Sequence, residues 1–383
     1  MNFQPLRDFL DYYLPMLGVP GSDTAIYKNG EEVFRYQSGY DDLRLKTPVR
    51  PDAIYNIYSC TKVATVVAIM QLVERGEILV TDPLYAFIPE FREMRVVRKN
   101  ENGEITGEHR AKTPITVKHL LTMTSGLNYS FEHANLDELM QRTEGRAPTL
   151  DVCRALAKSP LEFEPGEQYL YGLSHDILGG VIEVVSGMRL SEYMQKNIFE
   201  PLGMSDTSFH IDPTKISRLA CQYEFDPVSR QAISIPSTTC TIRLGRDFDS
   251  AGAGLASTVD DYVLLADALA NGGVGKTGNR IISEYSLDVM TANMLNEKQL
   301  AKFRTGLNDG YGYGYGVRVN MEPASVGNLA PVGDFGWDGK KLCYLSADRE
   351  GKVAIFHAEH MGGLNNIVIP RLRNLAYACL GKK

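Results

Sequence analysis

The sequence lacks several signals that would assign it to common protein classes. It contains no run of 18 apolar residues, so we expect no membrane-spanning helix. Its six cysteines form no Cys-x-x-Cys pair, which argues against a zinc or redox site. The N-terminus shows no cationic start followed by an apolar run, so we expect no signal peptide. Unpaired thiols and no leader favour a reducing, cytoplasmic location.

Other absences narrow the chemistry. The net charge of −7 argues against a nucleic-acid partner. The densest basic stretch, residues 92–118, is interleaved with glutamates and is predicted to be a solvated loop. The chain has no His-Glu-x-x-His and no Gly-x-Ser-x-Gly, and no Gly-x-Gly-x-x-Gly follows a predicted strand to open a helix. We therefore expect neither metal nor cofactor.

Periodicity predicts a discontinuous α/β (α+β) architecture. Residues 3–17 have helical spacing, residues 23–37 read as two strands around Asn29-Gly30, and strands return in the last seventy residues before a closing helix. The middle of the chain is mostly helical in pattern. We expect residues 1–83 and 312–383 to form an antiparallel sheet flanked by the terminal helices. Residues 84–311 would be an inserted, mostly helical domain, with the active site in the cleft between the two.

The clearest chemical signal is Ser59-Cys60-Thr61-Lys62, the one Ser-x-x-Lys in the chain. It opens a helix from about Cys60 to Arg75 that is apolar nearly all round and therefore buried. A serine there could simply cap the helix. However, the spacing places Lys62 on the same face as Ser59. A buried ammonium is costly unless paired, so we expect a partly neutral amine that activates the serine.

Two aromatic residues stand beside turn signals. Tyr171 follows the turn at Pro165-Gly166 and precedes an apolar helix. Trp337, the single tryptophan, lies between Gly336 and Gly339, where a ligand could approach the backbone closely. Both are also compatible with ordinary core positions. The residues alone therefore leave their function open.

Taken together, these segments resemble the serine β-lactamase-like superfamily, and within it the class C branch and the family VIII carboxylesterases. Beyond Ser59 and Lys62, the resemblance is carried by Pro114–Leu127, Pro201–Thr207 and Ala253–Tyr262. It covers nearly the whole chain and implies a β-lactamase/transpeptidase-like fold.

The resemblance also implies further site residues. Tyr171 stands where the family has the tyrosine of Tyr-x-Asn, which partners the serine and lysine, but Leu173 replaces the asparagine. Trp337-Asp338-Gly339 stands where lactamases carry Lys-Thr-Gly. Losing a cation and a polar anchor should weaken binding of an anionic β-lactam. We expect neutral, more apolar acyl substrates, contacted by Trp337, Gly339 and Leu173.

The mechanism implied by the resemblance uses an acyl-enzyme on Ser59. Its oxyanion hole would comprise the backbone N–H groups of Ser59 and Lys340, and Tyr129 and Phe131 would line the acyl pocket. We expect hydrolysis of small-molecule carboxylic esters by a monomer or homodimer, with no nucleic-acid or membrane partner. Four alternatives stay open: an acyltransferase, a β-lactamase, a D-amino-acid amidase or peptidase, and a non-catalytic binding module on the same fold.

Overall fold

The two ends of the chain meet in one antiparallel sheet of eight strands. The structure is a computed structural model that describes residues 1–132, 134–236 and 244–381. Its strands are β1 Gly21–Lys28, β2 Glu31–Asp42, β3 Thr47–Pro48, β4 Tyr55–Asn56, β5 Arg95–Lys99, β6 Ile105–Arg110, β7 Gln222–Asp226, β8 Gln231–Ile235, β9 Ala256–Ser257, β10 Tyr311–Tyr313, β11 Arg318–Asn320, β12 Phe335–Asp338, β13 Cys343–Asp348, β14 Val353–Ala358 and β15 Met361–Gly362. The eight-stranded sheet runs in the order β10-β11-β12-β13-β14-β1-β2-β3.

The register of the sheet joins the N-terminal and C-terminal strands directly. Strand β1 pairs with β14, with Ile26 opposite Ile355. The hairpin between β1 and β2 turns at Asn29 and Gly30, both at positive φ, as the Asn-Gly pair predicts. The sheet thus draws its strands from residues 21–48 and 311–358. The domain boundaries at 83/84 and 311/312 stay a prediction.

Helices cover both faces of this sheet. They are α1 Gln4–Asp8, α2 Leu14–Met16, α3 Thr61–Glu74, α4 Val117–Leu121, α5 Ala134–Arg142, α6 Thr149–Leu156, α7 Ser174–Ser186, α8 Leu190–Met194, α9 Glu200–Leu202, α10 Val259–Ala270, α11 Glu284–Met290, α12 Glu297–Phe303 and α13 Asn365–Leu380. A π-helical turn, Phe9–Tyr13, joins α1 to α2, so the N-terminal segment is helical almost throughout. Of these helices, α10 packs on β14 and β1, and α1 packs on α13.

Side-chain alternation along β1 separates two hydrophobic cores. Ile26 points into a core built with α1 and α13, where it meets Leu6 and Leu372. Its neighbours Ala25 and Tyr27 point to the opposite face, into the larger core that continues through α3 and the middle of the chain. Helix α3 lies inside this larger core and is buried over most of its length, as its uniform apolarity predicts. The predicted mixed fold with an antiparallel sheet and flanking helices is therefore confirmed.

The middle segment contains strands that periodicity missed. The predicted loop at residues 92–118 was wrong in part, because β5 and β6 form a hairpin there. Val96 and Val97 of β5 are buried, while Arg95 and Glu108 form an ion pair between the two strands at the surface. A second hairpin, β7 and β8, was also missed. Short hairpins with one charged face give too weak a period-2 signal in the sequence to be separated from loops.

The structure offers no membrane span and no metal cluster in the parts of the chain that it describes. None of the helices in residues 1–132, 134–236 and 244–381 is long and apolar enough to cross a bilayer. Within the same ranges, no cluster of three or more His, Cys, Asp or Glu could bind a metal ion. Five cysteines are unpaired there, and the sixth, Cys240, lies outside the described residues.

Candidate active site

Ser59 and Lys62 lie side by side at the start of α3. A 3₁₀ turn, Tyr58–Cys60, leads into the helix. Lys62 Nζ donates a hydrogen bond to Ser59 Oγ at 3.2 Å, and the lysine is fully buried whereas Ser59 is 9% exposed. The turn is strained, because Tyr58 has a φ of +46°. The Tyr58 hydroxyl donates to Gln222 Oε1 at 2.5 Å, which fixes this conformation from outside the helix.

The surroundings of the Lys62 amine are polar on one side and aromatic on the other. Its Nζ donates to the Gly252 carbonyl at 2.7 Å. It lies 4.7 Å from the ring centroid of Tyr171 and 5.8 Å from that of Tyr129. Among the described residues no carboxylate forms a direct ion pair with it. The amine is thus held by one carbonyl and two ring faces, and aimed at the serine.

Tyr171 joins the pair from the loop before α7. Its hydroxyl lines the same cavity as Ser59 and accepts a hydrogen bond from Trp337 Nε1 at 3.1 Å. Burial raises the pKa of the Tyr171 phenol, while the interactions with Ser59 and Trp337 act in the opposite direction. The phenol is therefore protonated at neutral pH and can donate a proton. The structure brings Ser59, Lys62 and Tyr171 together at one end of the cavity, and their catalytic roles stay a prediction.

Trp337 and Tyr129 sandwich Tyr171. The Tyr129 and Tyr171 rings stack with centroids 5.7 Å apart, and the Tyr171 and Trp337 rings stack at 5.6 Å. Tyr129 also lines the cavity beside Ser59, and burial raises the pKa of its phenol to about 12. Phe131 meets Tyr129 edge to face at 5.7 Å. Tyr129 is predicted from sequence only as a wall of the acyl pocket, because no motif indicates that it lies beside the serine.

The end of β12 approaches the 3₁₀ turn at Gly339. A Cβ atom there would lie 2.4 Å from the Ile57 carbonyl oxygen, so only glycine allows this approach. The next residue, Lys340, lines the same cavity as Ser59. Its N–H makes no backbone hydrogen bond within the described chain, and this donor is left for a ligand. This geometry is compatible with the predicted oxyanion hole.

Ser59 opens onto a cavity of about 880 Å³ between the sheet and the middle segment. Its walls are largely aromatic, formed by Tyr129, Phe131, Tyr169, Tyr171, Phe303 and Trp337. Lys302, Lys340, Asn308 and Asn366 add polar groups to the lining. Leu173 is not part of the lining: its side chain is 2% exposed and packs in the larger hydrophobic core. Its predicted contact with substrate is therefore not visible in this geometry.

An ion pair between a buried arginine and a half-buried aspartate lies beside Trp337 in the cavity wall. Arg318 Nη1 lies 2.6 Å from Asp338 Oδ1, and the Arg318 guanidinium sits 5.6 Å from the Trp337 ring centroid. The Asp338 carboxylate also accepts a hydrogen bond from Asn365 Nδ2 at 3.1 Å. Among the described residues, Asp338 is the one acidic side chain of the lining, and Arg318 neutralises its charge. The pair also anchors the strand that carries Trp337 to its neighbours.

Comparison with known proteins decides the family. The Beta-lactamase family model matches residues 6–358. The chain belongs to the β-lactamase family. Acyltransferase calJ of Penicillium decumbens is 29% identical over 362 residues, which cover 90% of this chain and 85% of that protein. Esterase EstB of Burkholderia gladioli is 28% identical over 338 residues, covering 83% and 80% respectively.

Solved structures show the same β-lactamase-family fold. EstCE1, described as a hydrolase with promiscuous acyltransferase activity, superposes with a TM-score of 0.78 and covers 99% of this chain and 98% of that chain at 20% identity. At this identity the likeness shows the fold alone. The chain is thus a member of a serine hydrolase and acyltransferase family whose relatives include esterases.

Three residues near Ser59 and Lys62 are not predicted from the sequence. Gly252 supplies the carbonyl that holds Lys62, and Asp176 and Ser250 support that carbonyl from behind. Gly252 lies 190 residues from Lys62 along the chain. Because the two residues are so far apart in sequence, no motif of fixed spacing predicts their contact.

Proposed function

We propose that the protein cleaves carboxylic esters of small molecules through an acyl-enzyme on Ser59. The observation that carries the proposal is the 3.2 Å contact between Ser59 Oγ and Lys62 Nζ at the edge of a cavity of about 880 Å³. A serine hydroxyl is a weak nucleophile until a neighbouring base removes its proton. The buried amine of Lys62 is the base that we propose for this step, and the protonated phenol of Tyr171 serves as a proton donor later in the cycle.

Acylation follows from this arrangement. Ser59 Oγ attacks the ester carbonyl carbon while its proton moves to Lys62 Nζ. The carbonyl oxygen becomes an oxyanion, which the N–H groups of Ser59 and Lys340 bind; a donor of this kind typically contributes about 3 kcal/mol. The protonated Tyr171 phenol then donates to the leaving alkoxide, and proton transfer from Lys62 restores it. Trp337 keeps the Tyr171 hydroxyl in place through its indole N–H.

Deacylation completes the cycle when water attacks the acyl-enzyme. If an alcohol or amine attacks instead, the same site transfers the acyl group. Two observations favour acyl transfer as the second candidate function: a relative of 29% identity is named an acyltransferase, and the cavity has room for an acceptor beside the acyl group. Competition between water and an added alcohol on one acyl-enzyme distinguishes the two.

The aromatic walls favour esters of apolar acyl groups over β-lactams. Trp337 stands where a lactamase has a cationic lysine, and its indole N–H is engaged by Tyr171. This position therefore offers a β-lactam carboxylate neither a charge nor a free donor. We further propose a reducing compartment, on the ground that the five described cysteines are unpaired.

The proposal is tested by turnover of short p-nitrophenyl esters. Ser59→Ala should abolish turnover and remove covalent labelling by a fluorophosphonate probe. Ser229→Ala is the matched control, because Ser229 is exposed on the turn between β7 and β8 and should leave both signals unchanged. A Ser59→Ala protein that still hydrolyses the esters would refute the assignment. Absence of turnover and labelling in the wild type would favour a binding module.

A further inference from the structure

Asp176 is a buried carboxylate close to the site that the reaction scheme above does not use. It lies in the first turn of α7 and is 2% exposed. Its Oδ2 atom has no hydrogen-bond partner within the described residues. Burial raises the pKa of the Asp176 carboxyl, whereas the Ser250 hydroxyl and the Lys62 charge act against this rise. A carboxylate in such a place is costly unless a positive charge compensates for it.

A continuous chain of hydrogen bonds links this carboxylate to the Lys62 amine. Ser250 Oγ donates to Asp176 Oδ1 at 2.6 Å. The N–H of Ala253 donates to Ser250 Oγ at 3.1 Å, sharing its proton with the Ser250 carbonyl at 3.2 Å. The other end of the same peptide unit is the Gly252 carbonyl, which accepts from Lys62 Nζ at 2.7 Å. One hydroxyl and one peptide group therefore separate the carboxylate from the amine.

The dipoles in this chain all point the same way. Each donor faces the Asp176 carboxylate and each acceptor faces Lys62, so a negative charge at one end and a positive charge at the other polarise every bond between them. Hydrogen bonds arranged head to tail strengthen one another in this way. Interior surroundings of low dielectric enlarge the effect, since Ser250, Ala253 and Asp176 are at most 2% exposed.

A second set of contacts fixes the peptide that carries the relay. The Gly252 N–H donates directly to Asp176 Oδ1 at 3.2 Å, and Thr65 Oγ1, one turn after Lys62 on α3, donates to the Ala251 carbonyl at 2.7 Å. A Cβ atom on Gly252 would lie 2.5 Å from Asp176 Oδ2. Hydrogen bonds thus hold the turn at residues 250–253 against both α3 and α7, and those from α7 come from Asp176.

We propose that Asp176 is a positioning residue that supplies the counter-charge of the Lys62 ammonium through Ser250 and the Gly252–Ala253 peptide. The inference rests on the proposed function, in which the Ser59 proton moves to Lys62 Nζ as Oγ bonds to the carbonyl carbon. The relay stabilises the positive charge that this transfer creates, much as an aspartate supports the protonated imidazole of a Ser-His-Asp triad. Asp176 itself touches neither substrate nor the reacting atoms.

The test compares pH profiles of kcat/KM for a p-nitrophenyl ester. Asp176→Asn keeps an acceptor for Ser250 but removes the charge, and Ser250→Ala keeps the charge but breaks the relay. Asp267→Asn is the matched control, a buried aspartate on α10 bonded to Asn271. Asp176 interacts electrostatically with Lys62 on α3, Cys153 on α6 and Tyr129 in the loop before α5. The Lys62 charge also acts on Cys60, in the turn before α3, and on His175, on α7. None of these is altered in the variants.

We expect Asp176→Asn to lower kcat/KM at the optimum about tenfold or more and to move the acidic limb to lower pH by about one unit, because a nearby carboxylate favours the protonated amine. Ser250→Ala should move the limb in the same direction by less, and Asp267→Asn should leave it in place. A loss of rate without movement of the limb would mark a merely structural role and overturn the proposal.

The variants also separate this inference from the proposed function. A wild-type protein without Ser59-dependent turnover contradicts the proposed function itself. An active wild type whose profile is unchanged in both variants contradicts only the relay. If Asp176→Asn does not fold, the Ser250→Ala profile decides: movement to lower pH supports the relay, and an unmoved limb refutes it.

Discussion

The stability of the strand that carries Trp337 should depend on pH through Asp334. This residue immediately precedes β12 and is 2% exposed. It accepts hydrogen bonds from the hydroxyls of Ser346, on β13, and Tyr377, on α13. Burial raises the pKa of the Asp334 carboxyl to about 7, and the hydroxyl of Ser346 and the charge of Arg373 offset only part of this rise. The folded protein therefore holds the neutral form of this acid at mildly acidic pH.

The sign of the effect follows from linkage. An aspartate in the unfolded chain has a pKa of about 3.9, well below the folded value. The unfolded state thus releases this proton first, and the free energy of unfolding falls as pH rises from about 4 to about 7. The difference of about 3 pKa units corresponds to about 4 kcal/mol in full, of which about 2–3 kcal/mol is lost between pH 5 and pH 8.

Asp334→Asn removes this titration while keeping an oxygen that can accept from Ser346. We expect the variant to gain about 2–3 kcal/mol relative to wild type on going from pH 5 to pH 8. The measurement is urea unfolding followed by circular dichroism at both pH values. Asp137→Asn, an exposed position on α5, controls for the loss of one surface charge. An equal difference between Asp334→Asn and wild type at both pH values would refute the reasoning.

Further predictions concern the site. Tyr171→Phe should lower kcat for p-nitrophenyl esters by about 100-fold or more with little change in KM, because it removes the proton donor but keeps the ring stack; emission from Trp337, the single tryptophan, checks that the site stays folded. Turnover within about threefold of wild type would exclude this role. Cephalosporins should be hydrolysed with a kcat/KM at least about tenfold below that of esters, because Trp337 occupies the position of the lysine that binds their carboxylate in lactamases. Comparable kcat/KM values for the two substrate classes would contradict the substrate preference.

The parts of the fold that sequence could predict are those set by short-range rules. The hairpin at Asn29-Gly30 needs two adjacent residues that accept positive φ, and both adopt it. The contact between Ser59 and Lys62 needs only helical spacing, and the buried helix that follows is recognisable from its uniform apolarity. These features depend on a few consecutive residues, so one sequence is enough to place them.

The parts that could not be predicted depend on long-range packing. Trp337 bonds to Tyr171 across 166 residues, and Ser250 bonds to Asp176 across 74. Leu173 was expected at the substrate because of its place in a motif, yet the start of α7 turns its side chain into the core. The β5 and β6 hairpin escaped notice because its few buried valines lie among charged residues. Spacing along the chain carries no information on contacts of this kind.

The most direct measurement is the mass of a trapped acyl-enzyme. Incubation with a slowly deacylated ester or a fluorophosphonate, followed by digestion and peptide mass spectrometry, locates the modified residue. We predict a single adduct on the peptide containing Ser59, absent from Ser59→Ala and retained in Ser229→Ala. An adduct on another residue, or steady ester turnover with no adduct on Ser59, would contradict a mechanism that runs through this serine.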